Sequence, residues 1–429
     1  MKKNYQTKTA AALTVPDSVA IAMTDLADEL REGLLALAVG TGLQVMGVLL
    51  EESVTALAGP KGRHDPDRTA VRHGHEEGSV TLGGRRVPVR RPRVRSADGA
   101  RELLVPAYEH FSSTEVLSRL AMEKMLAKLS TRRYKSGLEP VGERVEARAS
   151  STSRSAVSRR FVEATEHALA ELLAGDLSKL DLVALMVDGV HFGDHVCVVA
   201  MGIDLTGRKH PLSITEGDTE NATVVRDLLV GLRDRGLEVT RPILVVIDGA
   251  KALASAVKAV FDHPVIHRCQ LHKIRNVESK LPKALAKTVT KKMRAIYHYD
   301  DALRAEAELE ELARQLQRSH PGAAGSLREG LGETLTVMAL KVPPTLSRTL
   351  RSTNAIESMI EICRDHSANV KRWRDGQMAL RWFAAGMVEA GKQFRKVNGF
   401  LHLPALRTAL NDYVERGVTP IDYNKEDAA

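Results

Sequence analysis

The sequence predicts an α/β fold: a mixed-sheet core with an all-helical insertion, preceded by a largely helical N-terminal region that carries a basic β-hairpin. Three observations predict it. Two short, wholly apolar runs, residues 182–187 and 243–247, have the length of strands buried on both faces, and each ends abruptly in a carboxylate, Asp188 and Asp248. Between them, Val224, Val225, Leu228, Leu229 and Leu232 recur at helical spacing behind Asn221, an N-cap residue, and such a crossover lets the two strands lie parallel. Residues 276–341 then read almost wholly helical, with Ala302, Ala305, Leu309, Leu312 and Leu316 on one face. A chain of 429 residues with 43% hydrophobic content buries a sizeable core over more than one domain.

Taken in order, residues 1 to 58 look helical. Their apolar stretch 34–50 is interrupted by Thr41, Gln44 and glycines and ends in Glu51-Glu52, which favours a packed helix pair over a membrane span. From Gly59 the chain turns basic. Val80/Leu82 and Val87/Val89 flank Gly83-Gly84, the signature of a hairpin. Arg85, Arg86, Arg90, Arg91, Arg93 and Arg95 on its second arm suit either a phosphate backbone or a charge-protected edge strand. His64, His73 and His75 lack metal-site spacing and read as loop histidines.

Residues 112–175 return to a helical pattern. Within them the polar turn at Ser150 runs into a helix that gathers Ser153, Arg154, Ser158 and Arg159, which resembles a helix-turn-helix reading base edges and phosphates; the plain alternative is a serine-capped surface helix. After the first acid, His195 to Ile203 and Lys209 to Ile214 are short strands joined by a turn at Asp204 to Gly207, so three strands form a meander before the crossover. A helix after Asp248 leads to a further strand, Pro264 to Cys269. Pro343-Pro344 closes the helical stretch, and a new amphipathic helix follows with Ile356, Met359, Ile360 and Cys363 on its buried face. Lys371, Arg372 and Arg374 then surround Trp373.

Net charge is +8, which implies affinity for polyanions, and aromatic content of 4% argues for groove and phosphate contacts rather than base stacking. Three cysteines, Cys197, Cys269 and Cys363, are widely spaced and odd in number, so no disulfide framework or zinc ribbon follows and a reducing cytosol fits. Each acid has a plain local reading: Asp188-Gly189 as a turn, Asp248 as an N-cap, Glu357 as a capping-box residue behind Asn354. Two such readings would have to place carboxylates at the same ends of adjacent buried strands by coincidence. Clustered carboxylates repel unless a cation lies between them, and hard Mg²⁺ prefers oxygen ligands; two ions about 4 Å apart activate an attacking oxygen and stabilise a leaving 3′ oxygen.

The motifs Val187-Asp188-Gly189, Ile247-Asp248-Gly249, Cys269-Gln270-Leu271-His272 and Asn354-Ala355-Ile356-Glu357-Ser358 occur in that order, with the helical stretch before the last. Over about residues 30 to 410 the chain resembles the Mutator-type transposases of bacterial insertion sequences, a branch of the DDE transposase and ribonuclease-H-like superfamily. The resemblance implies a ribonuclease-H-like core with Asp188, Asp248 and Glu357 as catalytic metal ligands for Mg²⁺ (or Mn²⁺), two ions. It implies DNA strand cleavage at terminal inverted repeats and strand transfer into target DNA. Cys269 and His272 match the family's signature, which by analogy orients DNA or the second Asp. It further implies double-stranded DNA as partner, a homodimer or higher homo-oligomer, no membrane, and a cytoplasmic, nucleoid-associated location. The competing class is a catalytically inactive DNA-binding regulator or repressor of transposition, separated by a cleavage assay with and without Mg²⁺. A ribonuclease acting on hybrids would share the cage but not the long N-terminal region.

The predicted organisation is a helical region with the hairpin at 1–110, for dimerisation and DNA contact; a helix-turn-helix-like DNA-binding region at 111–178; the first part of the core at 179–275; the helical insertion at 276–350; core completion with the Glu357 helix at 351–410; and a tail at 411–429.

Overall fold

The computed structural model describes residues 33–63, 65–219 and 221–417. The expectations for residues 1–32, for His64 and for the end of the tail lie outside the described residues. The chain divides into two compact units, residues 1–161 and 162–429.

In the first unit α1 (Leu34–Ala58) is a single 25-residue helix, not the expected pair, because its glycines sit inside a continuous helical hydrogen-bonded run. By length and composition the stretch Ala36–Ala58 is long and apolar enough to cross a bilayer. Met46, Leu50 and Val54 of α1 are buried, Met46 and Leu50 against Val80 and Val87 of a three-stranded sheet, whereas Val45 and Val48 are more than half exposed. That sheet has the order β1 (Ala70–Leu82), β2 (Arg85–Ser96), β3 (Glu102–Leu103), all antiparallel. Leu82 faces Arg85 across Gly83-Gly84, both at positive φ, as a two-residue turn between twisted strands requires. Strand β1 begins ten positions before Val80, so His73 and His75 stand exposed on a strand rather than in a loop. Helices α2 (Pro106–Ser112), α3 (Glu115–Leu126) and α4 (Glu143–Arg148) follow, and α5 (Arg154–Ala174) begins in this unit and continues into the next.

The second unit is built on a five-stranded mixed sheet, ordered β6 (Lys209–Glu216), β5 (His195–Asp204), β4 (Leu182–Phe192), β7 (Ile243–Ile247), β8 (Pro264–Arg268). β4, β5 and β6 form the expected antiparallel meander, and β7 and β8 are parallel to β4. Period-two alternation divides the central strands between two cores. Leu185, Val187, Val245 and Ile247 pack under α6 (Ala222–Asp234) and α7 (Lys251–Val260). Met186, Val190, Leu244 and Val246 pack under α13 (Pro344–Leu350), α14 (Asn354–His366), α15 (Gly376–Gln393) and α16 (Leu403–Glu415). With both faces covered, unbroken apolar runs are what these strands need.

The helices between β8 and α13 are α8 (Gln270–Glu278), α9 (Lys283–Ile296), α10 (Ala302–Gln317), α11 (Pro321–Arg328) and α12 (Leu331–Ala339). They enclose a core of their own, from Ile274 to Leu335, with Ala305, Leu309, Leu312 and Leu316 buried in it. Helix α12 lies along the edge strand β8, where the Thr336 hydroxyl donates to the Ile266 carbonyl at 2.7 Å. The last helix of the module ends at Ala339, just before Pro343-Pro344; Pro344 also opens α13, which the sequence had not shown, at a first-turn position where its missing N–H costs nothing, and Leu346 and Leu350 join the sheet core.

Candidate active site

Asp188 and Asp248 are placed by strand register. Val187 pairs with Ile247 in the parallel β4/β7 ladder, so the next residue of each strand is a carboxylate at the same sheet end. Asp188-Gly189 is not a turn. β4 continues through it to Phe192, with Asp188 opposite Val199, and the chain reverses only at Gly193-Asp194. Asp188 is 8% exposed, and its Oδ1 accepts the Gly189 amide at 2.9 Å.

Asp248 is not the N-cap of α7, whose cap position is Ala250. Its Oδ1 accepts the Ala250 amide at 2.9 Å, a tight local turn that fixes the carboxylate. Gly249 has φ of 114°, open to glycine alone, and its carbonyl accepts from Arg268 Nη1 at 2.9 Å. Arg268 is buried and ion-paired to Glu333 of α12, and Gly330 leaves the space its guanidinium occupies.

Glu357 lies in the first turn of α14, after the cap residue Thr353 rather than Asn354, so no capping box forms. Instead the Thr353 hydroxyl donates to Glu357 Oε1 at 2.7 Å. The Thr353 amide and hydroxyl each lie 3.4 Å from Cys269 Sγ, and His272 Nδ1 is 3.5 Å from that hydroxyl. His272 Nε2 is 3.8 Å from Glu357 Oε1. Cys269 follows β8 directly and is tied to β7 by its amide, which donates to the Ile247 carbonyl at 2.8 Å.

Electrostatics join these pieces. Burial first, then the charge of Asp248, pushes the Asp188 carboxyl up to about 6; Glu357 adds to the rise, while the Gly189 amide and His272 oppose it. A hydrogen bond with Cys269 raises His272 to about 9, against burial and helped by the charges of Asp188 and Glu357. Burial alone would raise the Cys269 thiol, but hydrogen bonds with His272 and Thr353 hold it below its ordinary value. The three acids, one from a strand, one from a βα turn and one from a helix beyond the inserted module, therefore act on one another through charge, with an imidazolium beside them.

Two donor sets can be compared for a metal. Cys269, His272 and Glu357 present ligand atoms within 4.8 Å of one another, but three mixed ligands fall short of a structural zinc site, and the Cys269 sulfur is engaged by Thr353. The three carboxylates are the oxygen donors a hard cation prefers, but among the described residues they do not come within 4.8 Å of one another as a set; Asp188, raised first by burial and then by Asp248 and Glu357, is linked to them through charge. Thr353 went unread in the sequence. Its position four residues before Glu357 in a helix start was the available signal. With Glu357 read as a metal ligand, Thr353→Val is expected to lower DNA cleavage about 10- to 100-fold, and Thr353→Ser to restore it. Equal loss in both variants would mean that packing, not the hydroxyl, is what matters.

The basic candidates separate by environment. Arg85 is buried against Glu146, and Arg86 donates to the Ser79 and Ser112 carbonyls. Arg91 pairs with Glu76, and Arg93 with Glu102 and Glu76. Arg95 is partly buried, and Arg90 alone of the six is exposed. Ser153, Arg154, Ser158 and Arg159 are all exposed at the start of α5; the Ser153 hydroxyl accepts the Ala156 amide at 3.3 Å, and the preceding α4 has only six residues. Lys371, Arg372 and Arg374 are exposed in a loop anchored by Trp373, whose ring meets Phe192 edge-on at 5.1 Å. Phe192 is four residues beyond Asp188 on the same strand, about 13 Å along it.

The central sheet carries two acids at the carboxyl ends of adjacent parallel strands, the crevice where open α/β sheets take their ligands. The profile of the family described as "Transposase, Mutator family" matches residues 17–397. The chain belongs to that family, whose members cleave and transfer DNA. It is 27% identical over 365 residues, 84% of the chain and 89% of the relative, to the transposase for insertion sequence element ISRM5 of Rhizobium meliloti (strain 1021). It is 32% identical over 197 residues, 44% of the chain and 60% of the relative, to the transposase for IS6120 of Mycolicibacterium smegmatis. Over 334 residues, 75% of the chain and 82% of the relative, it is 24% identical to the transposase for IS256 in transposon Tn4001 of Staphylococcus aureus.

Proposed function

We propose that the chain is a DDE transposase that cleaves DNA at the terminal inverted repeats of an insertion sequence and joins the freed ends to target DNA. The reading is carried by one observation: Val187 pairs with Ile247, so Asp188 and Asp248 leave adjacent parallel strands at the same end, and Thr353 and His272 tie Glu357 to Cys269 at the end of the next strand. The order of two parallel strands beside an antiparallel meander supports a ribonuclease-H-like core. Asp188, Asp248 and Glu357 would hold Mg²⁺ or Mn²⁺, probed as two ions. Bound there, such ions supply activation of the attacking oxygen and stabilisation of the leaving one.

The protein's own part is positional. The Gly189 and Ala250 amides fix one oxygen each of Asp188 and Asp248, and Thr353 fixes Glu357. In the first reaction water attacks phosphorus, the P–O3′ bond breaks, and a 3′-hydroxyl and a 5′-phosphate result. In the second, that hydroxyl attacks a target phosphodiester and the displaced 3′ oxygen leaves. The exposed Arg90, Ser153, Arg154, Ser158 and Arg159 supply end binding by the N-terminal half, and Lys371, Arg372 and Arg374 a contact near the acids. Exposed Val45, Val48 and Leu49 on α1 support self-association. The test is strand cleavage on duplexes carrying the element's ends, with and without Mg²⁺; absence of divalent-dependent nicking removes the proposal.

A pH dependence follows. Because the folded-state pKa of Asp188 is raised, its contribution to stability is full below the unfolded value near 3.8 and is lost as pH rises through about 6. Above that the acids repel, and a cation relieves the repulsion. Mn²⁺ is therefore expected to raise the melting temperature at pH 8 and to lose the effect by pH 5, as scanning fluorimetry would show. An equal rise at both values would place the ion elsewhere.

A further inference from the structure

The insertion carries a surface that the site above does not use. Helix α9 buries Ala286, Val289, Thr290, Met293 and Ile296 in the module core and turns Lys283, Lys287, Lys291, Lys292 and Arg294 outward, all exposed. It contains no Asp or Glu. Lys283, Lys287, Lys291 and Arg294 recur at spacings of four, four and three, so they form one stripe. None of them makes an ion pair among the described residues.

A solvated helix face would ordinarily mix its signs, and the next helix does. On α10, Glu308 pairs with Arg304 at 3.5 Å and Glu311 with Arg314 at 3.0 Å, while Glu310 pairs with Arg328 of α11 at 2.9 Å. These acids are held by other cations and leave the α9 stripe uncompensated. Lys283 also stands at the first position of its helix, where the macrodipole disfavours a cation. Only Arg294, in the last turn, suits the helix dipole; for the three lysines folding has no such gain, and a polyanion would supply one.

The stripe has a defined end. Just past α9, His298 Nδ1 meets the Arg294 carbonyl at 2.6 Å and His298 Nε2 lies 3.5 Å from Arg351 Nη2. Arg351 is two residues before Thr353, whose hydroxyl holds Glu357. A cationic track thus leads from the start of the Glu357 helix through Arg351 to Lys283, about 16 Å along α9 at 1.5 Å per residue. That length matches about five base-pair steps of duplex at 3.4 Å.

We propose that the exposed face of α9 is a DNA contact that grips the sugar–phosphate backbone of the duplex flanking the bond to be cut. The assignment rests on the reading of the acids as a DNA-cleaving site. It makes the inserted module a clamp as well as a spacer, and it is independent of base sequence because ammonium and guanidinium groups on phosphates carry no base readout.

The test uses the full chain, a duplex of arbitrary sequence, and anisotropy titrations from low to moderate salt. The triple variant Lys283→Gln/Lys287→Gln/Lys291→Gln is expected to flatten the slope of log K against log salt by about 2 to 3, since each lost phosphate contact removes about 0.9. Its melting temperature should stay near that of the parent, because all three side chains are exposed. The charge-conserving Lys283→Arg/Lys287→Arg/Lys291→Arg variant should keep the parent slope. An unchanged slope in the Gln variant overturns the proposal, and persisting Mg²⁺-dependent cleavage in the parent would show that the cleavage reading survives it. A flattened slope in the Gln variant, with a parent that never cleaves, would leave the DNA contact standing and remove the cleavage reading instead.

Discussion

Asp188→Asn is expected to lower DNA strand cleavage by at least about 10³-fold, about 4 kcal/mol of barrier, while binding to duplex ends stays measurable. The change preserves shape and the hydrogen bond from the Gly189 amide, so what it removes is charge. A neutral amide is a poor ligand for a hard cation, and the remaining carboxylates, Asp248 and Glu357, are held by groups of their own and cannot substitute. The variant also carries a control against misfolding. Since the Asp188 carboxyl is raised to about 6, its charged form opposes folding at pH 8, and the Asn variant should melt at the same temperature or higher. Loss of cleavage with a lowered melting temperature would assign Asp188 to the fold. Asp248→Asn and Glu357→Gln are expected to follow in cleavage.

Glu333→Ala is expected to destabilise the second unit by about 3 kcal/mol, the lower end of the range for removing one partner of a buried ion pair. Arg268 and Glu333 side chains are 9% and 11% exposed, and without Glu333 the guanidinium keeps, among the described residues, only Glu329, at 4.0 Å, as a countercharge. The partner ion pair from Lys258 at 3.9 Å is solvent-facing, so Lys258→Ala should change stability by less than about 0.5 kcal/mol. Denaturant unfolding of the two variants distinguishes the cases. Equal effects would mean that the buried pair contributes no more than the surface one. Because Arg268 also holds the Gly249 carbonyl, the Glu333 variant should lose cleavage activity in parallel.

The central sheet and the helix bearing Glu357 were legible in the sequence because burial on both faces leaves an unmistakable apolar run, and burial on one face leaves a periodicity. Ile356, Met359, Ile360 and Cys363, read as one face, are all buried. The strand's extent past Asp188 was not legible, since Asp-Gly serves a turn and a strand equally and only pairing with Val199 decides. Pro343-Pro344 was ambiguous for a similar reason: proline ends one helix and begins another with the same ring. Thr353, Arg268 and Glu333 were invisible because their meaning lies in partners far along the chain. The arginines of β2 show the converse. A run of cations looks like a binding surface until the sheet brings Glu76 and Glu102 alongside.

The placement of the helical module between Asp248 and Glu357 has a consequence for the chain as it is made. Domains form as the ribosome releases them, N-terminal parts first. A nascent or prematurely ended polypeptide can pair β4 with β7 and yet lack the helix that supplies the last acid. On the proposed reading of the acids, a chain ended before residue 351 is therefore expected to lack cleavage however well its sheet has formed, because Glu357 lies beyond the module.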